Sequence, residues 1–167
     1  MKSLIVIGCG GHGRIVAEAA AASYLVRGFT DDNPARHGAL VDGLPVLGPW
    51  QKQEADMFVV AIGDNLARQR VFELVKLSKR SLVTVVSSGA SVSTRAGLGA
   101  GTVVLAGAVV QAGAVVGVNV LLNAGAVVDH DAAVGDHAHV GLRAVVASFG
   151  QVVAGEWLPL GAVRART

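Results

Sequence analysis

Two aspartates flank a histidine in Asp129-His130-Asp131, and two more histidines follow in Asp136-His137-Ala138-His139. Three readings fit those residue types. A neutral His130 can take a proton from an attacking amine or hydroxyl, with a carboxylate raising its basicity and fixing its tautomer. Asp131 is the candidate carboxylate, and Asp129 is the fallback. Three histidines can also hold zinc, although spacings of seven and two suit such a site poorly. The third reading is solvated polar side chains with no role. By register His130 is expected to face outward on a flat surface, two positions after an inward valine. His137 is expected at a corner, solvated or in an interface.

A second constellation lies near the start. Gly8-Cys9-Gly10-Gly11-His12-Gly13 follows an apolar run and opens an alanine-rich one. Glycines at a helix N-terminus let backbone N–H groups approach an anion. Asp31 stands 23 residues after Gly8, where a ribose-binding acid is expected in dinucleotide folds. Three uses remain open: a nucleotide-sugar diphosphate, NAD, or a turn that packs helix on strand. The unit is too short for a full dinucleotide fold, so the nucleotide sugar is favoured. His12 beside a diphosphate is expected to act as a donor.

The secondary-structure elements that carry these groups fall into two kinds. Leu4–Ile7, Val26–Thr30 and Met57–Ile62 read as strands, with Leu82–Val86 closing the set. Ile15–Ala22 reads as a helix, and another follows Gly63-Asp64-Asn65 with Leu66, Val71, Leu74 and Val75 on one face and Arg68 elsewhere. Alternation of strand and helix implies a parallel sheet. After that the text repeats every six residues. Val86, Val92, Leu98, Val104 and so on to Leu158 form a ladder of thirteen aliphatics. Four positions after each, a small residue such as Ala108, Ala126 or Ala144 is the rule; three positions after, Gly, Asn or Asp is frequent. Those residues tolerate the positive φ of a tight corner. The pattern is that of a parallel β-helix, with three hexads to a coil and about four coils in all. The expected domains are therefore 1–84, α/β and half-Rossmann-like, and 85–167, a β-helix.

Composition narrows the function. The chain has 167 residues, a net charge of +2, 52% hydrophobic residues, 4% aromatics and 22 glycines. Disorder needs the reverse balance of charge and hydrophobicity. One cysteine excludes a disulfide scaffold. Scarce basic patches and aromatics argue against nucleic acid. No apolar run approaches the roughly 20 residues of a spanning helix, nor the about 7–15 of a cleaved signal. A cytoplasmic protein without membrane insertion is expected. From Leu98 to Val163 the charged residues are only Asp129, Asp131, Asp136, Arg143 and Glu156.

The order of motifs carries a resemblance. Gly-Gly-His-Gly at 10–13 is followed by Phe29-Thr30-Asp31-Asp32, Gly43-Leu44-Pro45-Val46-Leu47-Gly48, Ala61-Ile62-Gly63-Asp64-Asn65 with Arg68, and hexads bearing Asp129-His130-Asp131 and His139-Val140. This resembles the bacterial sugar acetyltransferases that N-acetylate UDP-amino-sugars for bacillosamine and pilin glycans, whose relatives include sialic acid O-acetyltransferases. The resemblance implies a left-handed β-helix, a homotrimer, acetyl-CoA as co-substrate, a UDP-linked amino sugar as acceptor and no metal. It also implies roles. His130 would be the general base, supported by Asp131. His139 and Ser148 would face acetyl-CoA. Gly11, His12 and Gly13 would hold the diphosphate, Asp31, Asp32 and Gly63 the uridine side, and Asn123 would lie near the acceptor sugar. Cys9 lies in the other domain and is not expected to form an acyl-enzyme. The sequence departs from the family after the second histidine, where Gly141-Leu142-Arg143-Ala144 replaces the usual proline-glycine-alanine and fewer coils follow. O-acetylation, or a non-catalytic nucleotide-sugar-binding module, are the alternatives.

Overall fold

The computed structural model describes residues 1–166. The chain forms two compact units, Met1–Val83 and Thr84 onward.

In the first unit, β1 (Ser3–Ile7), β2 (Leu25–Thr30) and a third strand over Met57–Val60 make a parallel sheet with β1 in the centre. Leu4 to Ile7 are almost fully buried, as expected of a central parallel strand covered on both faces. Helix α1 (Gly11–Ala20) buries Val16, Ala17 and Ala20. Its close approach needs glycine at two places. A Cβ on Gly13 would lie 2.0 Å from the Gly8 carbonyl oxygen, and one on Gly8 would lie 2.7 Å from that of Ala61. Gly8 also has φ +111°, a conformation that side chains resist. Helix α2 (Asn65–Leu77) is N-capped by Asp64, whose Oδ1 accepts from the Ala67 N–H at 2.7 Å.

Two expectations fail in this unit. Leu66 and Leu74 are 65% and 53% exposed, whereas Arg68 is buried with Phe72 and Val75. Arg68 turns inward because its guanidinium donates to the carbonyls of Ile62 and Gly63, both at 3.1 Å, and to Asn65 Oδ1 at 2.8 Å. Burial lowers its pKa to about 10, so it remains a cation at neutral pH. The second failure is the expected strand Leu82–Val86. Only Leu82 bridges Phe58, and Val85–Val86 instead pair with Val103–Val104 in the second unit.

The second unit is a left-handed parallel β-helix. Its rungs are two residues long, and each pairs with the rung 18 residues on, as Val109–Val110 does with Val127–Val128. They form three faces of five, four and five rungs. The first face holds Val127–Val128, the second Ala133–Val134 and the third His139–Val140. The second residue of a rung points inward. Val104, Leu122, Val128, Val140 and Val146 are fully buried, with Ala108, Ala126 and Ala144 filling the corners. Every sixth residue from Gly101 to Gly161 has positive φ, so each corner turns through a left-handed residue. Asn119, Asp131, His137, Arg143 and Phe149 do this without being glycine. Gly89, expected among them, does not.

Among the described residues, no helix is long and apolar enough to cross a membrane.

The coil spacing makes a testable distinction between glycines. A Cβ on Gly135 would lie 2.5 Å from the Ala154 backbone nitrogen, whereas one on Gly97 meets nothing within 4 Å. Gly135→Ala should cost about 1–3 kcal/mol, as overpacking does, and lower Tm by several degrees in calorimetry. Gly97→Ala should leave Tm unchanged or slightly higher.

Candidate active site

His130 stands at a corner, between the rungs Val127–Val128 and Ala133–Val134. This corrects the expectation of a flat-face position. A rung uses only two residues, so the second residue after an inward valine is already in the turn. The corner also explains how neighbours in sequence can form a pair. Successive side chains on a strand point to opposite sides. Asp131 instead adopts φ +57°, which aspartate tolerates better than most residues, and the turn brings the two side chains together. Asp131 Oδ2 lies 2.9 Å from His130 Nδ1. The His130 backbone N–H donates to Asp129 Oδ1 at 2.8 Å. Gly113, one coil earlier, leaves room for the Asp131 carboxylate; a Cβ there would lie 2.3 Å from Oδ1.

The pair is chemically poised. Its side chains are 52% and 51% exposed, so protons and substrate have access. Such exposed pairs add little to stability. The hydrogen bond to Asp131 raises the His130 pKa above the ordinary histidine value; desolvation opposes it, and the charges of Asp129 and Asp131 add to it. With Nδ1–H donated to Asp131, neutral His130 presents Nε2 as the base.

Asn123 and His139 are also brought together. Asn123 Oδ1 accepts from the Ala124 N–H at 2.9 Å, so its amide nitrogen is the end that meets His139 Nε2, at 3.2 Å. His139 is the outward residue of its rung, and the Trp157 ring lies 6.3 Å away, one coil on. Ser148 follows His130 by one coil at the same corner and is half-buried. His137 takes the expected corner position but is not solvated. It is 8% exposed, and its Nδ1 lies 2.9 Å from the Asn119 amide. The left-handed corner turns its ring toward Asn119, so it is neither solvated nor part of the His130 pair. Among the described residues, no three His, Cys, Asp or Glu gather as a metal site requires.

Phe149 is a residue that sequence reasoning missed. Its ring meets that of His130 edge-on, at 5.6 Å and 87°. Its φ is +61°, a conformation that costs a bulky residue about 1–3 kcal/mol. An aromatic at the register where Gly, Asn or Asp is expected was the signal.

In the first unit, Gly11, His12 and Gly13 form the first turn of α1. Gly13 is buried by packing, whereas Gly10 and Gly11 stand open. They line a cleft of about 490 Å³ together with Cys9, Arg14 and Arg36. The two arginines were not foreseen, because they lie outside any periodic pattern. A smaller cleft of about 210 Å³ is lined by Gly8, Asp31, Asp32 and Ile62. Gly63 follows it and presents its carbonyl to Arg68. Partial burial opposes ionisation of Asp31. The Cys9 thiol at 2.9 Å, the Asn33 N–H and Arg36 outweigh it and hold the carboxyl below its ordinary value. Burial, then Asp31, pushes the Cys9 thiol up, so it is a donor and not a ready nucleophile.

Known proteins resemble this chain in sequence and in fold. The family model of the PglD N-terminal domain matches residues 3–75. UDP-N-acetylbacillosamine N-acetyltransferase of Bacillus subtilis is 31% identical over 111 residues, which are 62% of this chain and 51% of that one. The chain's match thus spans about half the length of that curated relative. The acetyltransferase domain of PglB from Neisseria gonorrhoeae is 32% identical, with a TM-score of 0.85 over 99% of this chain and 92% of that one. The same domain in complex with acetyl coenzyme A superposes with a TM-score of 0.76 at 31% identity, over 96% and 94% of the two chains. A histidine-to-asparagine variant of perosamine N-acetyltransferase from Caulobacter crescentus, in complex with CoA and GDP-perosamine, is 28% identical. Its TM-score is 0.83, over 98% of this chain and 89% of that one. With its N-terminal unit matching PglD and nearly its whole length matching the PglB domain, this chain belongs to the sugar acetyltransferase family.

Proposed function

We propose that this protein transfers an acetyl group from acetyl-CoA to the amine of a nucleotide-linked amino sugar, with His130 as general base. The observation that carries the proposal is the half-exposed His130–Asp131 pair at a corner of an otherwise aliphatic prism. The relatives' names and bound molecules support the substrate class.

The sugar nitrogen attacks the thioester carbon. A C–N bond forms, and the amine proton passes to His130 Nε2 while Asp131 stabilises the imidazolium. The carbonyl oxygen becomes an oxyanion, for which the Ser148 backbone N–H or His139 is the proposed donor. Collapse breaks the C–S bond, and the departing thiolate takes the proton from His130. Residues 1–84 are assigned to the nucleotide sugar. The uncrowded backbone of Gly10 and Gly11 at the helix N-terminus suits a diphosphate, toward which Arg14 and Arg36 would turn from Asp42 and Asp31. His12 is the proposed side-chain donor to it, and Asp31, Asp32 and Gly63 the nucleoside side. Asn123 is assigned to the acceptor sugar. We place the reaction in the cytoplasm, where acetyl-CoA is supplied, and propose a homotrimer as the working assembly.

Incubating the protein with acetyl-CoA and a panel of UDP- and GDP-linked amino and hydroxy sugars should release free CoA with at least one amino sugar. Release with hydroxy sugars alone would move the assignment to O-acetylation, and none across the panel would sink the enzymatic reading. His130→Ala should lower kcat by roughly 10²–10⁴; an unchanged rate would remove His130 from the mechanism.

The pH profile gives an independent check. A base acts when deprotonated, so kcat/KM should rise with pH through the His130 pKa and level off above it. Asp131 is the main cause that raises this pKa. In Asp131→Asn the rising limb should therefore move to lower pH, and the plateau rate should fall as the base weakens. A limb that stays in place would contradict the role given to Asp131.

A further inference from the structure

We infer that Phe149 is a positioning residue for the His130 imidazole, an inference that rests on His130 being the base. At this corner Gly113, Asp131 and Phe149 stack at intervals of 18 residues, with φ of +76°, +57° and +61°. Glycine and aspartate accept that conformation; for a bulky residue it is an outlier. The coil imposes it at every corner from Gly101 to Gly161, on Arg143 with φ +54° as on Phe149, so the choice of an aromatic ring at this one needs its own reason. Core burial does not account for it here, because Phe149 is 46% exposed and stands outside the prism interior.

What its ring does meet is His130, edge-on at 5.6 Å and 87°. The Arg166 guanidinium lies 4.8 Å from the same ring and backs it from the next coil. Asp131 holds His130 at one atom, Nδ1, which sets a distance but lets the imidazole pivot. A perpendicular ring at close range removes that pivot. The two contacts together aim Nε2 in one direction, as preorganised catalysis requires.

The test uses the full chain with Phe149→Gly, Phe149→Tyr and His130→Ala. Glycine accepts the corner conformation, so Phe149→Gly should keep or raise Tm. Its kcat should fall about threefold to tenfold, as loss of an aromatic contact does, with both KM values unchanged. In nitrogen-detected NMR of the ligand-free protein, the His130 ring should shift from one dominant Nδ1–H tautomer toward the mixture of free histidine. Phe149→Tyr, which keeps a ring, should recover most of the loss. If Phe149→Gly loosens the turn, Phe149→Asn supplies the same ring deletion in a residue suited to the conformation. Unchanged kcat and tautomer in a Phe149 deletion, beside an inactive His130→Ala, would overturn the inference alone. A raised KM for acetyl-CoA at constant kcat would also overturn it, by assigning the ring to the donor. An active His130→Ala would instead remove the base itself, and this inference with it.

Discussion

The 18-residue coil is the constraint on which the second unit depends. Each face of the prism admits one inward aliphatic per rung, and each corner admits one small side chain. Rungs of two residues leave only one outward position each. Polar chemistry is therefore confined to those outward positions and to the corner turns. His139 takes the first kind of place and His130 the second. The left-handed corner residue, needed to turn the chain, is also what lets adjacent His130 and Asp131 meet. A regular strand could not bring them together. The fold's turn geometry and its candidate chemistry thus share one backbone conformation.

The first unit answers a different constraint, the close approach of backbone to backbone. Gly13 against Gly8, and Gly8 against Ala61, draw α1 and the strands together tightly enough that no Cβ fits. Having used those two glycines for packing, the loop leaves Gly10 and Gly11 facing open space at the helix N-terminus. Arg14 and Arg36 line the same cleft, each paired with a carboxylate, Asp42 for the first and Asp31 for the second. Arg68 works behind this edge. It satisfies the carbonyls of Ile62 and Gly63 and so fixes the loop where the strand ends.

Much of this was legible in the sequence, for physical reasons. The ladder from Val86 to Leu158 is visible because its period equals the prism's geometry, and every inward position must obey it. His130, Asp131, Asn123 and His139 were legible because almost nothing else in that stretch is polar and reactive. Each failure has its own physical cause. Helical periodicity turned Leu66 and Leu74 inward, but the helix is oriented by carbonyls that Arg68 must satisfy. That need is invisible to a hydrophobic pattern. His137 reads as solvated or interfacial because its burial depends on Asn119, eighteen residues away and one coil below. His130 was read onto a flat face because the turn begins sooner than an even hexad suggests. Phe149 violates the corner rule, and the violation pointed to a contact that periodicity does not describe.

The most direct measurement of the central claim is a crystal structure with CoA and a nucleotide-linked amino sugar bound together. The account predicts the sugar amine within about 2.6–3.2 Å of His130 Nε2, with Nδ1 still on Asp131. An amine docked against another side chain, with the His130 imidazole turned to solvent, would contradict it.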